Sequence, residues 1–130
     1  MNQATITTAE FSKMISKICA CDTSADPEHW SAKNPMWGHC AIVSLLAQDN
    51  FGGTLVRRSL EDVAELECLR SHYSNKLSDG MEVDFTLEQF HGKLPASLPK
   101  EERPRDRVLS YPDTQKRYEL LKSRFEEKLH

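Results

Sequence analysis

Asn34-Pro35-Met36-Trp37-Gly38-His39-Cys40 runs without a break into Ala41-Ile42-Val43-Ser44-Leu45-Leu46-Ala47-Gln48-Asp49-Asn50-Phe51 and is closed by Gly52-Gly53. The first part is a turn-forming segment. The second is apolar around most of a helical circumference, which only a buried central helix tolerates, and the glycine pair offers the left-handed residue that ends it. A helix over about 38–51 is therefore predicted, with Cys40 in its first turn. Backbone N–H groups there lack intrahelical partners and the helix dipole favours negative charge, the setting a reactive thiol needs. The alternative for Cys40 is a buried structural cysteine.

Outward toward the N-terminus, Thr7-Thr8-Ala9-Glu10 reads as a capping box, and Phe11, Met14, Ile15 and Ile18 follow at the spacing of one apolar face, so a helix is expected over about 8–19. Asp22 to Lys33 is polar and holds Pro27, which predicts a loop, with Trp30 as a lid on the Cys40 helix. Cys19 and Cys21, with His29 nearby, invite comparison with a metal site. Two cysteines separated by a single residue, with no second pair, make a poor structural zinc pattern, so no metal and no cofactor are expected.

Outward toward the C-terminus, Thr54-Leu55-Val56-Arg57-Arg58 is β-prone and starts a first strand. Ser59 to Glu65 is acidic and turn-like. Leu66 to Leu77 and Met81 to Thr86 flank Ser78-Asp79-Gly80, the clearest hairpin in the chain. Thr86-Leu87-Glu88-Gln89-Phe90 starts a short helix that Gly92 stops. Residues 93–112 hold Pro95, Pro99, Pro104 and Pro112 and are expected to be a long irregular connection. A last surface helix is expected over about 113–128, with Tyr118, Leu121, Phe125 and Leu129 on one face.

The 130 residues are read as a single domain, and 38% apolar with 28% charged residues is a globular composition. No apolar run approaches the roughly 20 residues that span a bilayer, and the N-terminus lacks the basic start and apolar stretch of a secretory signal. A cytoplasmic protein with no membrane partner and reduced thiols is expected. Seventeen basic and 20 acidic residues leave a net charge of −3, which argues against nucleic acid as a partner. The charge is uneven, net −6 over residues 1–92 and net +3 over residues 93–130. That division suggests a basic tail laid against a more acidic body, with a basic docking surface as the alternative.

A cysteine hydrolase or acyltransferase needs a thiolate, an imidazole and a group that orients the imidazole. Cys40 at a helix start, His72 on one hairpin strand and Asp84 on the other supply these types in order. Their meeting depends on the turn. A two-residue Asp79-Gly80 loop puts His72 and Asp84 on opposite faces. A three-residue Ser78-Asp79-Gly80 loop places Ser74 opposite Asp84 and Thr86 opposite His72, so that both side chains share a face, and this composition suits it. Each residue also has an ordinary reading: a half-buried strand histidine and a solvated aspartate.

The motifs Trp30-Ser31, Asn34-Pro35, Gly38-x-Cys40, Gln48-Asp49, Phe51-Gly52-Gly53, Ser71-His72-Tyr73-x-Asn75-x-Leu77, Asp79-Gly80-x-Glu82-x-Asp84-x-Thr86 and Gln89-Phe90 resemble the small, functionally uncharacterised bacterial YunG-like family, as do Tyr111-Pro112-Asp113-Thr114 and Arg117-Tyr118-Glu119-Leu120-Leu121. The family pattern carries Gln where this chain has His39. The order Cys, strand His, next-strand Asp is also similar to transglutaminase-like and other papain-like folds. That resemblance implies an α+β domain with a Cys-bearing central helix packed on a small antiparallel sheet, between N- and C-terminal helices. It further implies a Cys40, His72, Asp84 triad, with the Cys40 N–H and either Asn34 or His39 at an oxyanion. Asn34 has the alternative role of turning the chain before Pro35. The function expected on these grounds is cleavage or transfer of an amide, isopeptide or related acyl bond, on a peptide, protein or small amide substrate. The competing class is a non-catalytic protein-interaction module of the same fold, and a third is a redox or metal protein using Cys19 and Cys21.

Overall fold

The computed structural model describes residues 6–129. Helix α1 spans Thr8–Ile18, and its start is the capping box read from the sequence: the Glu10 N–H donates to Thr7 Oγ1 at 3.1 Å, and the Thr7 N–H donates to Glu10 Oε1 at 2.8 Å. Phe11, Ile15 and Ile18 form its buried face. Helix α2 spans Cys40–Phe51 and is buried at every position from Cys40 to Ala47 except Ala41. Gly52, at φ 75°, ends it.

Gly53 then admits the first strand. At φ 82° it lies so close to the neighbouring chain that a Cβ would sit 2.0 Å from the Lys76 carbonyl oxygen, so only glycine lets β1 (Thr54–Ser59) begin beside the end of β2 (Ser71–Lys76). Two further strands complete an antiparallel sheet in the order β3-β2-β1-β4, β3 being Glu82–Val83 and β4 Lys100–Arg103. Asn75 pairs with Val83 and Lys76 with Glu82, the register of the three-residue loop. The Leu77 N–H donates to the Met81 carbonyl at 2.8 Å, and Gly80 takes the left-handed conformation at φ 90°.

Side chains alternate across this sheet. Leu55, Arg57, Ser71, Tyr73, Asn75, Glu101 and Arg103 share one face; Val56, Arg58, His72, Ser74, Glu82 and Lys100 share the other. Helix α2 lies on the first face, and the buried Asn75 amide donates to the Ser44 carbonyl at 2.9 Å, fixing the helix against β2. Helix α4 (Pro112–Leu129) packs Tyr118, Leu121 and Phe125 onto α1 and α2. Phe11 is the hub: its ring meets those of Phe85, Phe51 and Phe125 at 4.9, 5.4 and 5.5 Å. Ile42, Leu45 and Leu46 join Phe11 and Ile15 in full burial, while Phe85 is half-buried. A second cluster, Leu60, Leu66 and Phe90, ties the 60–70 segment to a short 3-10 turn at Leu87–Phe90.

Three expectations need correction. The hairpin arm does not begin at Leu66: Glu67–Leu69 is a 3-10 turn, and Glu65 and Arg70 adopt positive φ, so the strand starts at Ser71. Residues 93–112 are not irregular throughout, because Lys100–Arg103 pairs with β1 and Arg105–Leu109 forms a helix, α3. Leu129 is 41% exposed and lies off the packed face of α4. The charge division is realised as ion pairs: Arg105 to Asp49 at 2.9 Å, Arg124 to Asp22 at 2.5 Å and Lys100 to Glu82 at 2.6 Å. Arg105 also donates to the Leu45 carbonyl and to Gln48, placing a cation at the C-terminal end of α2, where the dipole favours it. Among the described residues no helix is long and apolar enough to cross a membrane.

Candidate functional site

Cys40 is delivered by a tightly held approach. Gly38, at φ 77°, passes so near Ser24 and Ala25 that a Cβ would meet Ser24 Oγ at 2.3 Å and the Ala25 nitrogen at 2.9 Å. The Gly38 N–H donates to Gln89 Oε1 at 3.0 Å, Gln89 Nε2 donates to Thr86 Oγ1 at 3.0 Å, and the Asn34 amide donates to the Gln89 carbonyl at 2.9 Å. Gln89, fully buried, thus clamps the 34–38 segment to the 3-10 turn that follows β3. Trp30 donates to the Pro35 carbonyl at 2.9 Å, which braces the approach loop to α2, and it does not line the cavity at Cys40.

His39 sits at the N-cap of α2 but makes no side-chain bond to the first-turn N–H groups. Its ring is fully buried between the Trp37 carbonyl, 2.9 Å from Nδ1, and Thr23 Oγ1, 2.7 Å from Nε2. A carbonyl can only accept, so Nδ1 carries the proton and Nε2 accepts from the Thr23 hydroxyl. Burial holds this imidazole neutral, its pKa pushed down to about 4. Both ring nitrogens are thereby committed away from Cys40. Asn34 does not line the cavity either.

His72 and Asp84 meet. His72 Nε2 lies 2.5 Å from Asp84 Oδ2, and Asp84 Oδ1 accepts from the Thr86 N–H at 3.2 Å, which fixes the carboxylate. The imidazole is fully buried, with the Phe90 ring edge-on at 4.8 Å. Burial opposes charge on it, but the bond to Asp84 and the nearby Cys40 sulfur together outweigh burial and raise its pKa to about 9. Nδ1 is buried and has no hydrogen-bond partner among the described residues. The Cys40 thiol is directed to the Ser71 carbonyl at 3.6 Å, the carbonyl of the peptide bond that joins Ser71 to His72. Thiol and imidazole are therefore neighbours across the first residues of β2. The sulfur is close enough to the ring to favour its charged form.

Cys40 opens on its other side into a cavity of about 360 Å³. Arg57, Arg70, Arg103 and Arg117 line it, with Glu61 as the acidic side chain, and His72 lies behind the thiol, outside the lining. The Arg57 Nε donates to Ser71 Oγ at 2.9 Å, and Glu101 bridges Arg57 and Arg103. These arginines were not singled out from the sequence. The alternation of β1 marks Arg57, but Arg103 joins it only because β4 pairs with β1. Cys19 and Cys21 do not line this cavity. Cys19 is buried, which pushes its thiol pKa up, and Cys21 is exposed, its thiol 3.6 Å from the Pro27 carbonyl.

A protein from Bacillus subtilis (strain 168), described as "Uncharacterized protein YunG", is 29% identical over 97 residues, covering 74% of each chain. No solved structure matches. The family model "YunG protein" matches residues 7–130, nearly the whole sequence. The α+β chain that brings Cys40, His72 and Asp84 to one end of its sheet belongs to the YunG family.

Proposed function

We propose that this is a papain-like cysteine hydrolase or acyltransferase, one domain whose Cys40, His72 and Asp84 act on an amide, isopeptide or related acyl bond. The observation that carries the reading is the 2.5 Å contact between His72 Nε2 and Asp84, which leaves a buried, unpartnered Nδ1 on the imidazole next to the Cys40 thiol. Buried ring nitrogens without partners are uncommon in folded proteins, and a base that must take a proton from a thiol needs one.

In this reading the Cys40 proton passes to Nδ1 and the sulfur attacks the carbonyl carbon. The S–C bond forms as the C=O electron pair moves onto oxygen. Collapse breaks the bond to the leaving group, which takes the proton from Nδ1; water or an acyl acceptor then releases the acyl group and restores the thiol. Asp84 holds the ring and stabilises its charge. The uncapped N–H groups at the start of α2 face the developing oxyanion. Asn34, held on the Gln89 carbonyl, positions the approach to the helix, and His39 contributes as the residue that sets the helix start.

The test is acyl transfer from p-nitrophenyl acetate, with the site of acetylation located by peptide mass spectrometry. Acetyl-Cys40 that forms and turns over in the parent protein, and neither forms in Cys40→Ala nor accumulates at the parental rate in His72→Ala, is the expected result. Absence of acetyl-Cys40 in a folded protein would favour the non-catalytic interaction module.

A further inference from the structure

We propose that the cavity beside Cys40 selects substrates with a carboxylate close to the acyl bond under attack, and that Arg70 is the side chain that receives it. The inference deepens the cysteine-enzyme reading and rests on it for the chemistry at Cys40. Charge balance in the cavity is the first observation. Four arginines and one glutamate line it. Glu101 pairs with Arg57 and Arg103, and Arg117 is held by Asp113 at 2.8 Å and by the Thr23 carbonyl at 3.1 Å. With Glu61, Glu101 and Asp113 set against the four cations, one positive charge is left over.

The second observation identifies which cation that is. Arg70 is exposed and makes no side-chain hydrogen bond or ion pair among the described residues. It also holds a backbone conformation, φ 65° and ψ −43°, that side-chain-bearing residues avoid. The position is imposed from both sides: the Arg70 N–H donates to the Glu67 carbonyl at 3.1 Å, and the Arg70 carbonyl accepts from the Leu60 N–H at 2.9 Å. Such a conformation is strained for a residue that carries a side chain, and glycine would adopt it freely. A cation held there at that cost, unpaired, on the wall of the nucleophile's cavity, is placed to bind an anion. The guanidinium fork fits a carboxylate bidentately, and the start of α2, which reaches the same cavity at Cys40, adds its dipole. A volume of about 360 Å³ suits a fragment the size of an amino acid or dipeptide.

The test uses two alkylating reagents of nearly equal size, anionic iodoacetate and neutral iodoacetamide. In each, the Cys40 sulfur displaces iodide and forms an S–CH₂ bond, so the ratio of the two rates, normalised to a neutral small thiol, reads the charge the cavity favours. A normalised ratio raised by on the order of tenfold is expected in the parent protein, falling severalfold toward one in Arg70→Gly and Arg70→Ala. Arg70→Gly should melt at or above the parental temperature, which separates lost recognition from lost folding. A parental ratio near one, or a raised ratio that persists in Arg70→Gly, overturns the inference. The same labelling in His72→Ala tests the parent reading separately: iodoacetamide rates that do not depend on His72 count against the cysteine enzyme, while an Arg70-dependent ratio still supports the carboxylate site.

Discussion

Asp84→Asn removes the negative charge beside His72 and keeps the side chain's shape, and its consequence can be worked from the site. In the folded protein the imidazole pKa is raised from 6.5 to about 9, burial opposing the shift and Asp84 leading the groups that overcome it. A histidine whose folded pKa lies above its unfolded value adds stability that is fully present below pH 6.5 and is lost as pH rises through about 9. At 1.36 kcal/mol per pH unit the contribution is roughly 3 kcal/mol. In the variant the Cys40 sulfur is left to oppose burial without Asp84, and the part of that contribution due to Asp84 disappears. The assay is urea unfolding followed by the fluorescence of Trp30 and Trp37, at about pH 6 and about pH 9.5. Thiols, lysines and tyrosines titrate in both proteins, so the difference between the two is the quantity to read. The parent should lose more than Asp84→Asn between the two pH values, by up to about 3 kcal/mol. Equal losses would refute the claim that Asp84 holds a charged His72.

Leu46 is 1% exposed in the centre of α2, and Leu46→Ala should cost about 2–5 kcal/mol in the same urea assay. Gly38→Ala meets both positive φ and a 2.3 Å clash with Ser24 Oγ; a lowered melting temperature together with altered Cys40 labelling is expected, since the approach to α2 must shift. Glu82 is held down to about 2, burial opposing and the bonds from Lys100, Arg58 and Ser74 prevailing, so its contribution is present above pH 4.5 and lost as pH falls through about 2. Because the carboxylate is partly exposed, Glu82→Gln should cost only about 1 kcal/mol near pH 6, and thermal melts should show that gap closing toward pH 2. Brief native alkylation should modify exposed Cys21 and spare Cys19, as peptide mapping would report.

What could be read from the sequence was local or periodic. The Thr7–Glu10 box, the apolar face of α1, the all-round apolar α2 and the Ser78-Asp79-Gly80 loop each carry their signal within a few residues, and the structure realises each. The β4 strand was hidden because its residues, Lys100-Glu101-Glu102-Arg103, are all charged and lie between Pro99 and Pro104. It is an edge strand, paired among the described residues only with β1, where charge is tolerated and guards against further pairing. The positive φ values of Glu65 and Arg70, which cut the hairpin arm short, leave no mark in residue type. For the site, residue types and chain order proposed Cys40, His72 and Asp84, and the turn composition proposed the register that lets the last two meet. The arginine-lined cavity depends on β4 and on a strained turn, neither of which the residue types mark.

The most direct measurement of the central claim is the rate of Cys40 alkylation by iodoacetamide as a function of pH, in the parent protein and in His72→Ala, with modification at Cys40 quantified by mass spectrometry. If His72 takes the Cys40 proton, the parent rate near pH 6–7 should exceed that of the variant by about tenfold or more, and the two should converge above about pH 9.5. Superimposable profiles across that range, from two proteins shown to be folded, would contradict it.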